Sequence, residues 1–413
     1  MSFLDRIWNW EIEPEWAARL RWVPAWAVLT MVVYVVMEVV VLAPATVVGL
    51  SDYMALKENG FHEPGSYDLT ARIFPYAFWI LVGANLCFRI FMGIEGYFVH
   101  VRKGLDRGQF FRNLVLYNPA AVFTLGLHMV IAALVGAVLW LTGMGFDAGF
   151  EFVAGAGANL RQWISDHIPT LISLPEKWMA GICVVTLYSF IAYFEHWISH
   201  KNRFLWHVVH APHHLPDMLH PLGAPLAFSF DVFFIPIRVV LGVLLTKLVY
   251  AQPMVLEGAL LALANYCFEI FNHSTAHYEI AARSKVLRFI SKLGGGHGAY
   301  HYLHHSSAER HQMTNLGAGV WMIWDRIFGT FEEPPVERPA VGWTGNPAIC
   351  HNPLRVVFGG PARILYELRH NSWRLWPRIL FGSVFWNPPR TREYIKTEQN
   401  SQNSQDSPNL QDS

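Results

Sequence analysis

The stretch Gly294–His311 reads GGGHGAYHYLHHSSAERH and holds His297, His301, His304, His305 and His311, five of the chain's 20 histidines. A solvated surface has no use for so many imidazoles. A packed core could not satisfy their ring nitrogens unless something took up the lone pairs. A metal is the candidate, and it needs further donors, so the fold must bring distant segments to this one.

Outward from this stretch the chain is apolar. Of 413 residues 15% are charged, 53% hydrophobic and 15% aromatic, the balance of a membrane protein rather than of two or three soluble domains. The runs Ala25–Leu50, Phe74–Gly93, Ala120–Met144 and Trp178–Phe194 are each suited to cross a hydrocarbon core of roughly 30 Å as a helix. Two more, Pro225 to Tyr250 and Pro253 to Phe271, are separated only by a short AQP turn and read as a helical hairpin. The expected fold is an all-α integral membrane protein of about four to six transmembrane helices with a cytoplasmic, histidine-rich helical cap.

Residues 1–24 place Trp8, Trp10, Trp16 and Trp22 among charges, as an interfacial helix at the headgroups does. With this long leader ahead of it, and with its own length, the first apolar run is not a signal peptide. Arg6, Arg19 and Arg21 precede the first run and Arg102, Lys103, Arg107 and Arg112 follow the second, which puts the N-terminus in the cytoplasm. The chain divides into this helix, an N-terminal transmembrane region (25–177), a catalytic domain (178–334), a C-terminal extension (335–389) and a polar tail (390–413) expected to be disordered.

Of the four cysteines, Cys87, Cys183 and Cys267 lie in apolar runs, and with Cys350 they form no CxxC pair. Neither a disulfide framework nor a thiolate zinc site is supported. Formal net charge is zero, and no basic block stands on a polar domain, so nucleic acid is not an expected partner.

On this topology the run ending in FEHWISHKNRFLWHVVHAPHH (194–214) and the hairpin ending in FEIFNHSTAH (268–277) both deliver their histidines to the face where HGAYHYLHH (297–305) lies. His196 and His200, like His273 and His277, are four apart, a spacing that stacks two rings on one face of a helix. His210, His213, His214 and His301, His304, His305 both read HxxHH, in which the adjacent pair can splay toward two ions. Ten imidazoles exceed the four to six ligands of one metal and suit two. Imidazole alone accommodates zinc, copper, nickel or iron. No HExxH is present, and the boxes contain no carboxylate of the kind soluble di-iron bundles use. His128 reads as a core residue of an apolar helix, and His62, in FHEPG, lacks the second glycine of a haem-binding HPGG.

The ordered set HxxxH, HxxHH, HxxxH, HxxHH, closed by NLGAGVWMIWDRIFGTFEEP (315–334), resembles the fatty acid hydroxylase and sterol desaturase superfamily of membrane di-iron oxygenases. The resemblance covers about Gly181 to Pro334. Its closing motif stands as Asn315, Gly317, Trp324, Asp325, Phe328, Gly329 and Thr330. It implies that His196, His200, His210, His213, His214, His273, His277, His301, His304 and His305 hold two non-haem iron ions. His297 is an eleventh ligand or a supporting donor, and His207 and His311 are supporting. Asp325 and Arg326 read as a metal-site carboxylate and a substrate clamp, or, preferably, as locks on the turn that carries the last box.

The implied chemistry is O2-dependent removal of hydrogen from an unactivated C–H bond of a fatty acyl chain or sterol, giving an alcohol or, after a second loss, an alkene. Electrons must come from outside, from a b-type cytochrome or a ferredoxin with its reductase, because the chain has no dinucleotide fingerprint, haem motif or cysteine cluster. Two features depart from the family pattern: LPDMLHPLG (215–223) follows the second box, and VGWTGNPAICHNPLRVVFGG (341–360) resembles the tails of longer members, among them alkylglycerol ether monooxygenases. Phe228, Phe230, Phe233 and Phe234, with Arg238 the only base near them, suggest an apolar substrate chain. A rival of another class is a non-catalytic metal-binding or transport protein, whose ionisable ligands would lie near mid-bilayer.

Overall fold

A computed structural model describes residues 67–96, 162–220, 235–251, 254–317, 321–342 and 352–391, with a few single positions besides. The expected N-terminal interfacial helix, the apolar runs Ala25–Leu50 and Ala120–Met144, the phenylalanines between 228 and 234 and the polar tail beyond Thr391 lie outside the described residues. Every named element among the described residues is helical.

Long helices α1 (Tyr67–Gly96) and α2 (Lys177–Lys201) contain the two segments of the described residues, Arg72–Glu95 and Lys177–Lys201, that are long and apolar enough to cross a membrane. The hairpin expected between the second and third boxes is present as α4 (Ile235–Val249) and α5 (Val255–Glu269). At 1.5 Å per residue a 15-residue helix extends about 22 Å, less than a full span. Phe74 and Phe78 of α1 pack on Leu256 and Leu263 of α5, and farther along Cys267 donates to the Leu81 carbonyl and Phe88 meets Phe271 edge to face. The two helices therefore run in the same direction. Lys177 at the start of α2 pairs with Glu257 at the start of α5, so α2 runs with them too. Three C-terminal ends thus converge on one side, where the last turns of α2 carry His196 and His200 and the other histidine boxes follow.

Beyond that end the chain becomes a cap of short elements. Extended backbone at Asn202 stops α2, and the Asn202 side chain accepts from Leu205 N to start a π-helical turn, Leu205–His210. It continues into α3 (Ala211–His214). After α5 a 3₁₀ turn, Ile270–His273, is followed by Ser274, whose extended backbone and hydroxyl cap α6 (Thr275–Arg283). Ser284 caps α7 (Lys285–Lys292) in the same way. Then come α8 (Gly298–His304) and α9 (Ile323–Phe328). Leu219, Tyr278, Ala281, Ala282, Ala299 and Tyr302 form the core under α6 and α8.

The C-terminal extension is bound tightly to the cap. Helix α10 (Pro353–His370) packs against the π-helical turn, and α11 (Trp376–Phe381) packs against α10. The approach requires glycine at 360, because a Cβ there would collide with the His207 carbonyl. Arg203, with no exposed surface, donates from Nη2 to both Glu367 carboxylate oxygens at 2.7 and 2.6 Å. Arg363 and Thr391 also donate to Glu367, and the Trp386 carbonyl accepts from Arg203. A bidentate pair buried this way is costly to break from one side, by about 3–5 kcal/mol.

Candidate metal centre

Nine of the ten histidines expected as ligands come together in two groups. In the first, His196, His200, His210, His214 and His304 place one ring nitrogen each within 4.8 Å of one another; in the second, His213, His273, His301 and His305 do the same. Both HxxHH motifs divide as their adjacent pairs suggest. His210 and His214 serve the first group while His213 turns to the second, and His304 serves the first while His301 and His305 serve the second.

The second group closes a ring of Nε2 atoms: His213 to His273 3.3 Å, His273 to His301 2.8 Å, His301 to His305 3.1 Å and His305 to His213 3.0 Å. In the first, Nε2 separations are 3.0 Å for His196–His210, 3.1 Å for His210–His214 and 3.1 Å for His200–His304. Hydrogen bonding alone does not account for such rings. A neutral imidazole nitrogen that donates has no lone pair left to accept, so only half the edges of a closed ring could be bonds. Two donors at right angles about one ion, with metal–imidazole bonds of about 2.1 Å, lie about 3.0 Å apart. The donor spacing fits a first-row metal ion in each group.

Protonation also fits. Burial, then the neighbouring rings, hold His210, His214, His301 and His305 well below the ordinary histidine value of 6.5. Burial and His196 do the same at His304. Neutral rings keep the lone pair that a metal takes.

The closing motif works from behind. His196 Nδ1 donates to the Leu316 carbonyl at 2.7 Å and His304 Nδ1 to the Thr314 carbonyl at 2.8 Å, which fixes both tautomers with Nε2 aimed inward. Asp325 holds that segment, accepting from Leu316 N at 2.7 Å, Gly317 N at 2.9 Å and the Thr330 hydroxyl at 2.7 Å. A Cβ at Gly317 would sit 2.7 Å from both Asp325 Oδ2 and the Trp321 carbonyl, so only glycine fits. Asn315 adopts a positive φ of 52°, and its amide donates to the Tyr300 and Glu332 carbonyls. Trp324 donates to Ser189 of α2, and Phe328 stacks on Tyr193. The preferred reading of Asp325 as a lock agrees with these bonds. Arg326 likewise donates to the Ser291 carbonyl and covers the Phe331 ring.

His277 stands outside both groups. The four-residue spacing from His273 does not stack the rings, because Ser274 breaks the helix between them; His277 N donates to the Ser274 hydroxyl at 3.1 Å and its ring lies against Phe271. His297 is the N-cap of α8, and its ring lies tilted against Tyr300. Neither of its nitrogens is hydrogen-bonded, and burial, with His277 nearby, pushes it down to about 4. His207 lies beside Arg203 and Arg363, and burial, reinforced by those two cations, holds it neutral. His311 Nε2 lies 2.9 Å from Arg310 Nε and 3.1 Å from a Glu332 carboxylate oxygen, also outside both groups.

Sequence reasoning missed the Leu316 and Thr314 carbonyls, which no residue type announces. It also missed the Arg203–Glu367 pair, 164 positions apart. Only the i,i+4 spacing of Arg363 and Glu367 was a local signal.

Residues 181–330 match the model of the fatty acid hydroxylase family, and both histidine groups fall inside that stretch. Over 213 residues the chain is 28% identical to the ornithine lipid hydroxylase OlsE of Rhizobium tropici, a match that takes in 48% of this chain and 59% of that relative. No solved structure matches the chain.

Proposed function

We propose that this protein is a membrane di-iron oxygenase that hydroxylates a C–H bond on the acyl chain of a polar lipid, with one iron held by each histidine group. The observation that carries the reading is the convergence of nine imidazoles, eight buried and His196 half-buried, into two sets with metal-donor spacing, at the ends of helices long enough to span a bilayer. The family match and the ornithine lipid named for the relative support an acyl lipid as substrate. Iron, when bound, supplies the O2-dependent oxidation of carbon.

The chain's own residues do the rest. His196 and His304 hold their tautomers through backbone carbonyls. Burial of the histidines excludes water from the oxidising centre. The convergence of α1, α2 and α5 on the site lets a lipid reach it from the bilayer without being dissolved. We propose further that the protein is multi-pass with the site facing the cytoplasm, that its catalytic domain runs from 178 to 334 with 335–389 as an extension, and that an external cytochrome or ferredoxin supplies electrons.

Comparative lipidomics tests the reading. Cells with the protein should gain one oxygen atom in an acyl lipid pool, and cells with His213→Ala or His304→Ala should not. Loss of alkylglycerol with release of aldehyde would replace hydroxylation by ether cleavage. Purified protein that carries one zinc and consumes no O2 under reducing conditions would sink the oxygenase reading altogether.

A further inference from the structure

Helix α7 has three distinct faces. Leu287 and Ser291 turn inward, Ser291 buried and Leu287 packed on the cap core. Val286, Phe289 and Ile290, with Leu293 at the C-cap, follow an i, i+3, i+4, i+7 spacing and form a separate apolar stripe. That stripe is unpartnered, its residues between 41% and 69% exposed. Lys285, Arg288 and Lys292 occupy the remaining side, Arg283 stands just before the helix, and α7 carries no carboxylate. Cap packing accounts for one apolar face of this helix and leaves the second without a role.

The stripe is continuous with the spanning helix. Gly294, next to Leu293, accepts from Met322 N, and Arg326 reaches the Ser291 carbonyl, so the end of α7 abuts α9. Ile323, Ile327 and Phe328 of α9 are exposed in turn. Phe328 stacks on Phe190 and Tyr193, and Trp324 bonds Ser189. Those partners lie in the middle of α2, so α9 reaches well down the apolar length of a helix long enough to cross the bilayer. An apolar strip therefore runs from α2 across α9 to α7, with four cations along its far edge.

We propose that α7 and α9 form a second membrane contact, a monotopic patch that seats the cap in the headgroup–acyl boundary of an anionic leaflet. Val286, Phe289, Ile290 and Leu293 enter the boundary, while Arg283, Lys285, Arg288 and Lys292 meet lipid phosphates. An amphipathic helix with a basic flank is the element that takes up this position, and basic residues beside a membrane are drawn to anionic lipid. The patch holds the cap at a fixed depth, so that the histidine groups face lipid lying in the leaflet. The inference rests on α2 spanning the bilayer, and the test separates the two.

The photocrosslinking residue benzoylphenylalanine is placed at Phe289, at Phe194 on the exposed side of α2, or at the exposed Glu309. Full-length protein is reconstituted in nanodiscs of phosphatidylcholine with phosphatidylglycerol and irradiated, and adducts are identified by mass spectrometry. Lipid adducts at 289 and 194 but not at 309 are expected. Lipid at 194 with none at 289, or a crosslink from 289 to a second copy of the chain, overturns the patch while leaving the span intact; no lipid at 194 overturns the span itself. Lys285→Gln, Arg288→Gln and Lys292→Gln together should cut the 289 adduct severalfold, to the yield in pure phosphatidylcholine, with metal content unchanged as the check on folding. An undiminished yield would remove the anionic preference.

Discussion

The two histidine groups are built from the same motifs but held differently. The first takes five rings, two of them locked by carbonyls of the closing motif, and its members span α2, the π-helical turn, α3 and α8. The second takes four rings, and the Nδ1 atoms of His301 and His305 have no hydrogen-bond partner. A locked five-imidazole set favours retention of an ion; a four-imidazole set with looser rings leaves more room for exchange. The molecule divides one histidine-rich cap into a fixed half and an adaptable half.

The largest effect should come from cutting the ligand sets apart. His304 and His305 are neighbours in sequence yet belong to different groups. His304→Ala should lose the ion of the first group and His305→Ala that of the second, each keeping about half the metal, and either should abolish turnover. If both variants lost the same ion by spectroscopy, the division into two groups would be wrong.

Next in size is the clamp behind the first group. Glu367→Ala strands the Arg203 guanidinium in a site with no exposed surface, and should lower stability by about 3–5 kcal/mol in denaturant titrations. Because α10 packs on the turn that carries His210, the first group should lose metal before the second. A double change, Arg203→Met with Glu367→Leu, removes both charges and should recover much of the loss. Failure to recover would mean that the clamp acts through geometry rather than through an unpaired charge.

A smaller loss should follow at Asp325. Asp325→Asn keeps the shape but replaces one acceptor oxygen with a donor, so one of the Leu316 and Gly317 amides loses its partner and the carbonyl behind His196 loosens. Metal affinity of the first group should fall about 10-fold, at the low end for supporting residues, with the second group unchanged. Timed chelation of the unmutated protein bears on the same contrast: the second ion should leave first. The reverse order would break the comparison between fixed and adaptable halves.

These outcomes also mark how far the sequence could be read. The boxes were legible because imidazole at fixed spacing is a chemical signal: His196 with His200, and both HxxHH motifs, converge as their spacing implies. The apolar segments in α1 and α2 were legible because spanning length and composition are local properties. The carbonyls of Thr314 and Leu316 were not, since every residue has one and only the fold aims it. Arg203 and Glu367 were illegible for a related reason. A buried pair joins positions that no periodicity links, and each residue alone reads as a solvated charge. The second apolar face of α7 was present in KVLRFISK (285–292), but it acquires meaning only when Leu287 and Ser291 are seen to take the inward side.

The smallest expected effect belongs to His277, where spacing misleads. Four residues separate it from His273, the interval that stacks His196 and His200, yet His273 ends a 3₁₀ turn and His277 lies in the first turn of a new helix capped by Ser274. Its ring rests on Phe271, and burial holds it below the ordinary histidine value; the expectation that follows is a packing role beside His297 rather than that of a ligand. His273→Ala should lose the second ion. His277→Ala should keep both ions and lower turnover no more than about twofold, since removing a partly exposed ring away from the ligands costs little. Metal analysis of the two variants side by side decides the matter. Loss of an ion from His277→Ala would mean that the break at Ser274 closes when metal binds, and that the second group gains a fifth imidazole to match the first.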